Sequence, residues 1–421
     1  MSVKKHHRRV HQFFKRLGPG FITGASDDDP SGIATYAQTG AQFGYGQLWT
    51  AFFSTPFMVA MQEMSGRIGL VTGKGLAGVL REHFSRPLLY GSVVLLLIAN
   101  VINIGADLGA MAASIKLLVG FPFLFWLLVS VAVTVGLEIF VPYRSYARYL
   151  KYLTLSLLAY VITGILVTRS WGSVLNATFI PHFSLNRDYL LNIVALLGTT
   201  ISPYLFFWQA NEEVEEEILH GTFRVHSQPK ITFEDVRSVG FDTVFGMLFS
   251  NIIMFFIILT TASTLGLHGV MHVDSAAAAA EALRPLAGQF TYLLFALGIV
   301  GTGLLAVPVL AGSASYAVAE TFGWRTGLYR RFRQAHGFYG VIALATVVGL
   351  LVNFLPVTPF EMLYYAAVVN GVLAPPLMVV ILAIANSKSI MGEYTNSRVS
   401  NIFGVVITLL MSAAAILLFL A

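Results

Sequence analysis

The segment GFITGASDDDPSGIATY, residues 20–36, is the strongest structural signal in this chain. It lies within an apolar stretch long enough to cross a bilayer, yet it holds three consecutive aspartates, a proline and three glycines. Pro30 lacks a backbone N–H and clashes with the preceding turn, so a continuous helix is not expected. Carboxylates at membrane depth are costly and usually serve an ion or proton pathway. The segment therefore predicts a broken membrane helix with acidic groups at the break.

The composition is that of an all-α polytopic membrane protein. Of the 421 residues, 56% are hydrophobic and 11% are charged, whereas a soluble domain has about 25% charged residues. There is no cysteine, which excludes a disulfide framework and a thiolate metal site. Eleven apolar segments of spanning length are predicted, at 18–44, 48–66, 88–114, 121–141, 149–168, 187–210, 239–265, 289–317, 338–355, 360–385 and 402–420.

The basic residues predict the topology. If residues 1–17 form a basic cytoplasmic tail, the inner segments hold 22 of the 26 lysines and arginines. Such a bias toward the inner side is typical of membrane proteins. We therefore expect a multi-pass protein of the cell (plasma) membrane with a cytoplasmic N-terminus and its C-terminus outside. The net charge of +5 reflects this topology and does not indicate a nucleic-acid partner.

A second interrupted segment, GTTISPY at 198–204, lies five spans after the first. Paired broken helices in corresponding positions indicate an inverted repeat with its binding site near the midplane. We expect a ten-helix transport core over 18–385, with repeats at about 18–168 and 187–385 and breaks at Pro30 and Pro203. Residues 386–421 then form an inner loop and an eleventh helix.

The first break supplies the principal candidate ligand. Asp29 directly precedes Pro30 and is predicted to bind a cation directly or through water. Because successive helical residues point about 100° apart, three adjacent carboxylates cannot all face one ion. Asp27 and Asp28 are therefore assigned to the ion path or to capping of a half-helix. Ser26 and Gly32, on the two sides of the break, are further candidate metal-site residues.

Other spans contribute candidate oxygen ligands. Thr199, through its carbonyl, and Ser202, through its hydroxyl, suit Mg²⁺, Ca²⁺ or Mn²⁺ better than a soft metal. For Ser202, a local bond to the backbone is the competing interpretation. Asp107 is a candidate proton acceptor, ion-path carboxylate or half of a structural pair. Asn370 is a candidate amide ligand or an interhelical bond.

An acidic run at 212–217 follows the second break. It is either a solvated helix end or an acidic vestibule through which cations pass. The sequence does not distinguish these two interpretations.

These motifs resemble those of the Nramp family of divalent-metal transporters. The resemblance covers most of the chain, including a GlyProGlyPhe opening of span one. The family motif Asp-Pro-Gly-Asn reads Asp29-Pro30-Ser31-Gly32 here, and Met-Pro-His reads Ser202-Pro203-Tyr204. The resemblance implies a LeuT-like five-plus-five inverted repeat. It also implies a divalent metal as cargo and no cofactor.

The departures from the family motifs bear on which ion is carried. In the family, the asparagine and the methionine coordinate a dehydrated transition metal, and the methionine sulfur disfavours Mg²⁺. Gly32 and Ser202 stand at these positions, which implies a larger, more polar site for a partly hydrated Mg²⁺. This pattern is similar to the Nramp-related magnesium transporters, a divergent branch of the family. Asn370 corresponds to the family's span-ten glutamine.

The same comparison puts proton coupling in doubt. The family's acidic pair in span three is half present, with Asp107 kept and Ala110 in place of a glutamate. Tyr204 replaces the family's histidine, so Tyr204 and Asp107 are the remaining proton-pathway candidates. The resemblance therefore implies weak or absent proton coupling.

The leading hypothesis is a monomeric importer of Mg²⁺, with Mn²⁺ also carried, that works by alternating access in the bilayer. One alternative is a proton-coupled Mn²⁺ or Fe²⁺ transporter of the same family. Another is an amino-acid symporter of the same architecture. A third is a non-transporting receptor or a membrane enzyme. The sequence shows no catalytic triad, phosphate loop or HExxH pattern, so an enzyme is not expected.

Overall fold

The computed structural model describes residues 18–141, 154–221 and 231–420. The predicted tail at 1–17 and the start of the fifth segment lie outside these ranges. Within them, the regular structure is helical throughout, which confirms the all-α class. The helices of eight residues or more are α1 (Pro19–Asp27), α2 (Pro30–Phe43), α3 (Trp49–Thr72), α4 (Leu76–His83), α5 (Arg86–Val119), α6 (Phe123–Phe140), α7 (Leu158–Val167), α8 (Trp171–Phe179), α9 (Arg187–Thr200), α10 (Pro203–His220), α11 (Phe233–Thr264), α12 (Thr291–Phe322), α13 (His336–Val352), α14 (Pro359–Asn386) and α15 (Arg398–Leu420).

The outer surface of the helix bundle is apolar. Leu128 is 50% exposed, Leu344 62% and Leu409 64%, although each lies in the middle of an apolar helix. Such a surface belongs in lipid rather than in water. In the described part of the chain, seven helical segments are long and apolar enough to cross a membrane, and α7 with α8 forms a bent eighth candidate. The predicted count of eleven spans stays a prediction.

Both predicted breaks are present. α1 ends at Asp27 and α2 begins at Pro30, while α9 ends at Thr200 and α10 begins at Pro203. Each proline opens its helix, where its missing N–H leaves no hydrogen bond unmade. The sequence predicted these positions because proline is tolerated at the first helical position but not in the helix interior.

Several helices extend past their predicted segments, and two further differences concern the regions next to the breaks and the fifth segment. α10 continues to His220, ten residues beyond the predicted end at 210, so the acidic run lies within a helix. The fifth apolar segment is followed by α8, which departs from it at an angle of 119°. The hydropathy pattern missed both features, because it marks apolar length and carries no information on helix direction.

Glycines bring α9 and α14 into backbone contact beside the second break. A Cβ added at Gly198 would lie 2.1 Å from the carbonyl oxygen of Ala367 and 2.3 Å from the amide nitrogen of Gly371. A Cβ at Gly371 would lie 2.2 Å from the carbonyl oxygen of Val194. Because the neighbours are backbone atoms, neither position accepts a side chain without moving a helix. This contact fixes the second break next to Asn370.

Two apolar clusters pack around the breaks. One contains Tyr204, Phe206 and Trp208 of α10, and the other contains Ile33 and Tyr36 of α2. Each cluster therefore begins within a few residues of a break. The polar groups of the breaks therefore lie close to two tightly packed apolar regions.

We predict that Gly198→Ala lowers the stability of the protein, because its methyl group would overlap the carbonyl oxygen of Ala367. The expected loss is about 1–3 kcal/mol, the usual range for overpacking. Thermal unfolding of the purified protein in detergent measures it. Gly136→Ala is the matched control, since no atom lies within 4 Å of its added Cβ. Equal melting temperatures for the two variants would contradict the close contact.

Candidate functional site

Asp29 links the two halves of the first broken span. It is the N-cap residue of α2, with extended backbone dihedrals of φ −72° and ψ 171°. Its Oδ1 accepts hydrogen bonds from the amide of Gly32 and the hydroxyl of Ser31, both at 2.7 Å. Its Oδ2 accepts from the hydroxyl of Tyr204 at 3.4 Å. Asp29 is 1% exposed, so this carboxylate is buried and held in place by hydrogen bonds from both breaks.

Asp27 and Asp28 meet a serine of α11. The hydroxyl of Ser250 lies 2.6 Å from Oδ2 of Asp27 and 3.1 Å from Oδ1 of Asp28. One hydroxyl has one proton, so it donates to one of these carboxylates at a time. Asp28 is the C-cap residue of α1, and Asp29 is the N-cap residue of α2. Their assignment to an ion path stays a prediction.

At the second break, Ser202 points back toward its own helix. Its hydroxyl lies 2.9 Å from the carbonyl oxygen of Gly198 and 2.8 Å from that of Thr199, and it donates to one of them at a time. The local backbone bond that competed with ligation is therefore present, and the carbonyl of Thr199 is one of its acceptors. The lone pairs of the Ser202 oxygen are still available to a cation. Ligation by Ser202 and Thr199 stays a prediction.

Gly32 faces the gap between the two breaks. A Cβ at this position would lie 3.3 Å from the carbonyl oxygen of Asp27 and 3.3 Å from Oγ1 of Thr199. These distances are tight rather than open. Neighbouring groups therefore lie close around the glycine, and the larger site predicted from the missing asparagine side chain stays a prediction. The hydroxyl of Tyr204 also lies 3.3 Å from the carbonyl oxygen of Ser26, so it donates to this carbonyl or to Asp29, one at a time.

Helix α5 is continuous and lies beside the two broken spans. Asp107 is fully buried and close enough to Asp29 for their charges to interact. The amide of Ser31 lies near it without meeting hydrogen-bond geometry, and neither carboxylate oxygen has a partner among the described residues. One turn earlier, Asn103 donates to Oδ1 of Asn370 at 2.8 Å. The interhelical bond considered for Asn370 is therefore present.

The polar atoms around the breaks leave hydrogen-bonding capacity unused. Within the described residues, no three carboxylate or imidazole side chains converge to hold a metal ion. Several buried oxygens lack a partner there: Oδ1 of Asp27, Oδ2 of Asp28, the Tyr36 hydroxyl, both oxygens of Asp107 and Oγ1 of Thr199. A buried oxygen left without a partner costs about 1–3 kcal/mol. This arrangement fits a cation bound by few carboxylates and completed by carbonyls, hydroxyls and water.

Three of the five glutamates in the acidic run at 212–217 are buried, so the run is not a fully solvated helix end. Glu212, Glu213 and Glu215 are each 5% exposed. Glu215 accepts hydrogen bonds from the hydroxyl of Tyr316 and, at 2.5 Å, from the amide of Leu328. These bonds connect α10 to α12 and to the loop that follows it.

Sequence reasoning missed three residues that contact or border the site. Ser250 and Asn103 are polar residues inside apolar spans, and that alone could have marked them. Tyr36 follows the break by two turns, and its hydroxyl lies near Oγ1 of Thr199 without meeting hydrogen-bond geometry. An aromatic residue in an apolar helix gives no such signal.

Two broken helices with a buried carboxylate at their junction define a membrane transporter of the inverted-repeat class. The chain belongs to the Nramp family, since the model described as natural resistance-associated macrophage protein-like matches residues 20–421. Members of this family are transporters and not enzymes, as the sequence predicts.

Two curated relatives carry the name divalent metal cation transporter MntH. The protein from Aeromonas hydrophila is 25% identical over 397 residues, covering 92% of this chain and 91% of the relative. The protein from Verminephrobacter eiseniae is 27% identical, covering 90% and 83%.

Solved structures share the fold. The Eremococcus coleocola manganese transporter superposes with a TM-score of 0.73 at 18% identity, covering 96% of this chain and 87% of that one. The nucleobase-cation symporter Mhp1 has a TM-score of 0.53 at 14% identity, covering 96% and 92%. These likenesses confirm the LeuT-like fold predicted from the sequence.

We predict that Asp29→Asn separates the two roles of this residue. Asparagine caps a helix as well as aspartate does, so the variant should keep its melting temperature. It loses the negative charge, so its affinity for Mn²⁺ should fall more than about tenfold, or about 1.4 kcal/mol. Isothermal titration calorimetry measures the affinity. Asp29→Ala is the companion variant, which should also lose about 1 kcal/mol of stability. Unchanged Mn²⁺ binding in Asp29→Asn would make Asp29 a helix cap and nothing more.

Proposed function

We propose that this protein imports divalent metal cations across the plasma membrane, with Mg²⁺ as the main substrate and Mn²⁺ also carried. The ion passes as a partly hydrated cation by alternating access. Family membership supports the transport of a divalent metal. The choice of Mg²⁺ depends on the chemistry of the two breaks.

The observation that carries this proposal is the oxygen-rich environment of Asp29. The groups placed around it are carboxylates, hydroxyls and carbonyls, and the residue before Pro203 offers a hydroxyl rather than a thioether. Oxygen ligands suit hard cations, whereas a thioether favours soft ones. Mg²⁺ keeps several waters and is usually bound through one or two carboxylates. Asp29 and the nearby Asp107 are two such carboxylates.

The structure also contains a recess that suits one end of an alternating-access path. It has a volume of about 490 Å³ and is lined by Ala34 and Gln38 of α2, Leu191 of α9 and Tyr364 of α14. These are the helices that follow the first break, precede the second, and carry Asn370. Asp188 and Glu361 also line it, which would attract a cation. Opening between α2, α9 and α14 would connect this recess to Asp29.

We infer that transport is not coupled to protons. Ala110 lies one turn from Asp107 on α5 and offers no titratable group. Tyr204 donates to Asp29, and a tyrosine hydroxyl, with an ordinary pKa of about 10, is a poor proton carrier at neutral pH. The membrane potential then supplies the driving force, with the N-terminus inside, the C-terminus outside and the monomer as the working unit.

We predict saturable Mg²⁺ uptake by the purified protein in proteoliposomes. Mn²⁺ should compete, and Asp29→Asn should abolish uptake. A pH-sensitive dye inside the vesicles should show no Mg²⁺-driven acidification. Entry of Mn²⁺ without Mg²⁺ would contradict the assignment of the substrate, and strong acidification would contradict the absence of coupling.

A proton-coupled manganese transporter is the second candidate. The relatives of this fold include a protein described as a manganese transporter, and Asp107 is buried close to Asp29, where it could accept a proton. The amino-acid symporter has no comparable support, because the acidic groups at the break would repel a substrate carboxylate. The preference of the site for hard or soft metal ions distinguishes the Mg²⁺ importer from the proton-coupled manganese transporter.

We predict that Ser202→Met raises Cd²⁺ uptake relative to Mg²⁺ uptake, because it adds a soft ligand beside Asp29. A change of about tenfold in the uptake ratio is expected, equivalent to about 1.4 kcal/mol. Ser202→Leu is the matched control, since it adds similar volume without sulfur. If both variants change the ratio equally, side-chain size and not softness controls selectivity at this position.

A further inference from the structure

Two buried polar residues on α5, Asn103 and Asp107, lie beside the candidate site, and Asn103 has no role in the account above. Asn103 and Asp107 are four residues apart, so their side chains lie on the same face of the helix, roughly 5–6 Å apart at Cβ. Both are 0% exposed. Helix α5 packs against α2, whose N-cap is Asp29, and the charges of Asp107 and Asp29 interact. The pair therefore extends the polar region from the first break along α5.

The hydrogen bonds of Asn103 fix the direction of its amide. Its nitrogen donates to the carbonyl oxygen of Ala99 at 3.0 Å and to Oδ1 of Asn370 at 2.8 Å. A backbone carbonyl only accepts hydrogen bonds, so the nitrogen and not the oxygen must face Ala99. Both donors of the amide are then used. The side-chain oxygen of Asn103 is then the part of the amide that is still available to accept a hydrogen bond.

This oxygen joins the two of Asp107 as an unused acceptor. Within the described residues, Oδ1 of Asn103 and both carboxylate oxygens of Asp107 accept no hydrogen bond of normal geometry, although the amide of Ser31 lies near Asp107. Three buried acceptors on adjacent turns of one helix are costly unless donors reach them. Water molecules bound to a cation are strong donors, because their oxygens face the metal and their hydrogens point outward. A buried water needs two to four polar partners, which this region supplies.

We propose that Asn103 and Asp107 accept hydrogen bonds from the water shell of the transported cation, so that Asn103 helps to select Mg²⁺. This inference rests on the proposed function. Mg²⁺ gives up its bound water reluctantly. A hydrogen bond from that water to the protein is therefore present while the ion is bound. An ion that loses water more readily depends less on such a contact. Asn370 holds Asn103 in place for this role.

The proposal predicts that Asn103→Leu affects the two ions differently. Leucine has a similar volume and cannot accept a hydrogen bond. The KM for Mg²⁺ uptake in proteoliposomes should rise about fivefold, as expected for one lost hydrogen bond, and the KM for Mn²⁺ should change by less than about twofold. If Asn103→Leu is not recovered folded, Asn103→Ser tests the same point, since it retracts the acceptor and leaves a smaller side chain.

Asn100→Leu is the matched control. Asn100 is also a fully buried amide on α5 whose side-chain oxygen lacks a partner among the described residues. Its nitrogen, however, donates to the carbonyl of Leu310 and the hydroxyl of Ser313 on α12 and not to Asn370. Asn100→Leu should leave the ratio of the KM for Mg²⁺ to the KM for Mn²⁺ unchanged, even if the stability of the protein falls. Thermal unfolding of all variants reports that stability separately.

A second measurement tests the role of Asn370. If it acts by holding Asn103, the double variant Asn103→Leu with Asn370→Leu should raise the KM for Mg²⁺ no more than Asn103→Leu does alone. An unchanged Mg²⁺ KM in Asn103→Leu, or an equal change for both ions, would overturn the proposal while wild-type Mg²⁺ uptake still supports the function. Absence of Mg²⁺ uptake by the wild type would overturn both.

Discussion

The structure depends on keeping several carboxylates buried between two broken helices. Asp27, Asp28, Asp29 and Asp107 are each no more than 1% exposed. Charges buried in a region of low dielectric are costly unless hydrogen bonds or an opposite charge offset the loss of water. Asp29 has donors from Gly32, Ser31 and Tyr204, whereas Asp107 has none of normal geometry among the described residues. A divalent cation is the natural counter-charge for such a group, and transport consists of supplying it from one side and releasing it to the other.

The helix breaks make this burial possible. A broken helix exposes backbone amides and carbonyls that a continuous helix would satisfy internally. The amide of Gly32 is one of these, and it stabilises Asp29. The carbonyls of Ser26 and Thr199 are others, and each receives a hydroxyl from the second broken span. Tyr204 therefore links the two breaks, whereas the bond from Ser202 to Thr199 lies within the second break, and a cation can replace or join either contact.

The sequence predicted the class of fold and the position of both breaks, because proline and glycine act locally and hydropathy reports apolar length. It predicted which residues gather at the breaks, but not how they are oriented. The hydroxyl of Ser202 turns toward its own helix, and neighbours close around Gly32. Ser250 and Asn103 escaped attention because their partners are 223 and 267 residues away in the chain. Contacts of that kind depend on how helices pack, and spacing in the sequence does not report it.

The central claim is that the bound ion has only oxygen ligands and keeps part of its water. Electron–nuclear double resonance of bound Mn²⁺, with the protein exchanged into deuterated water, counts the waters on the metal directly. The account predicts exchangeable water deuterons on the ion in the wild-type protein and their rearrangement in Asn103→Leu. A bound ion without water, coordinated by protein ligands alone, would contradict it.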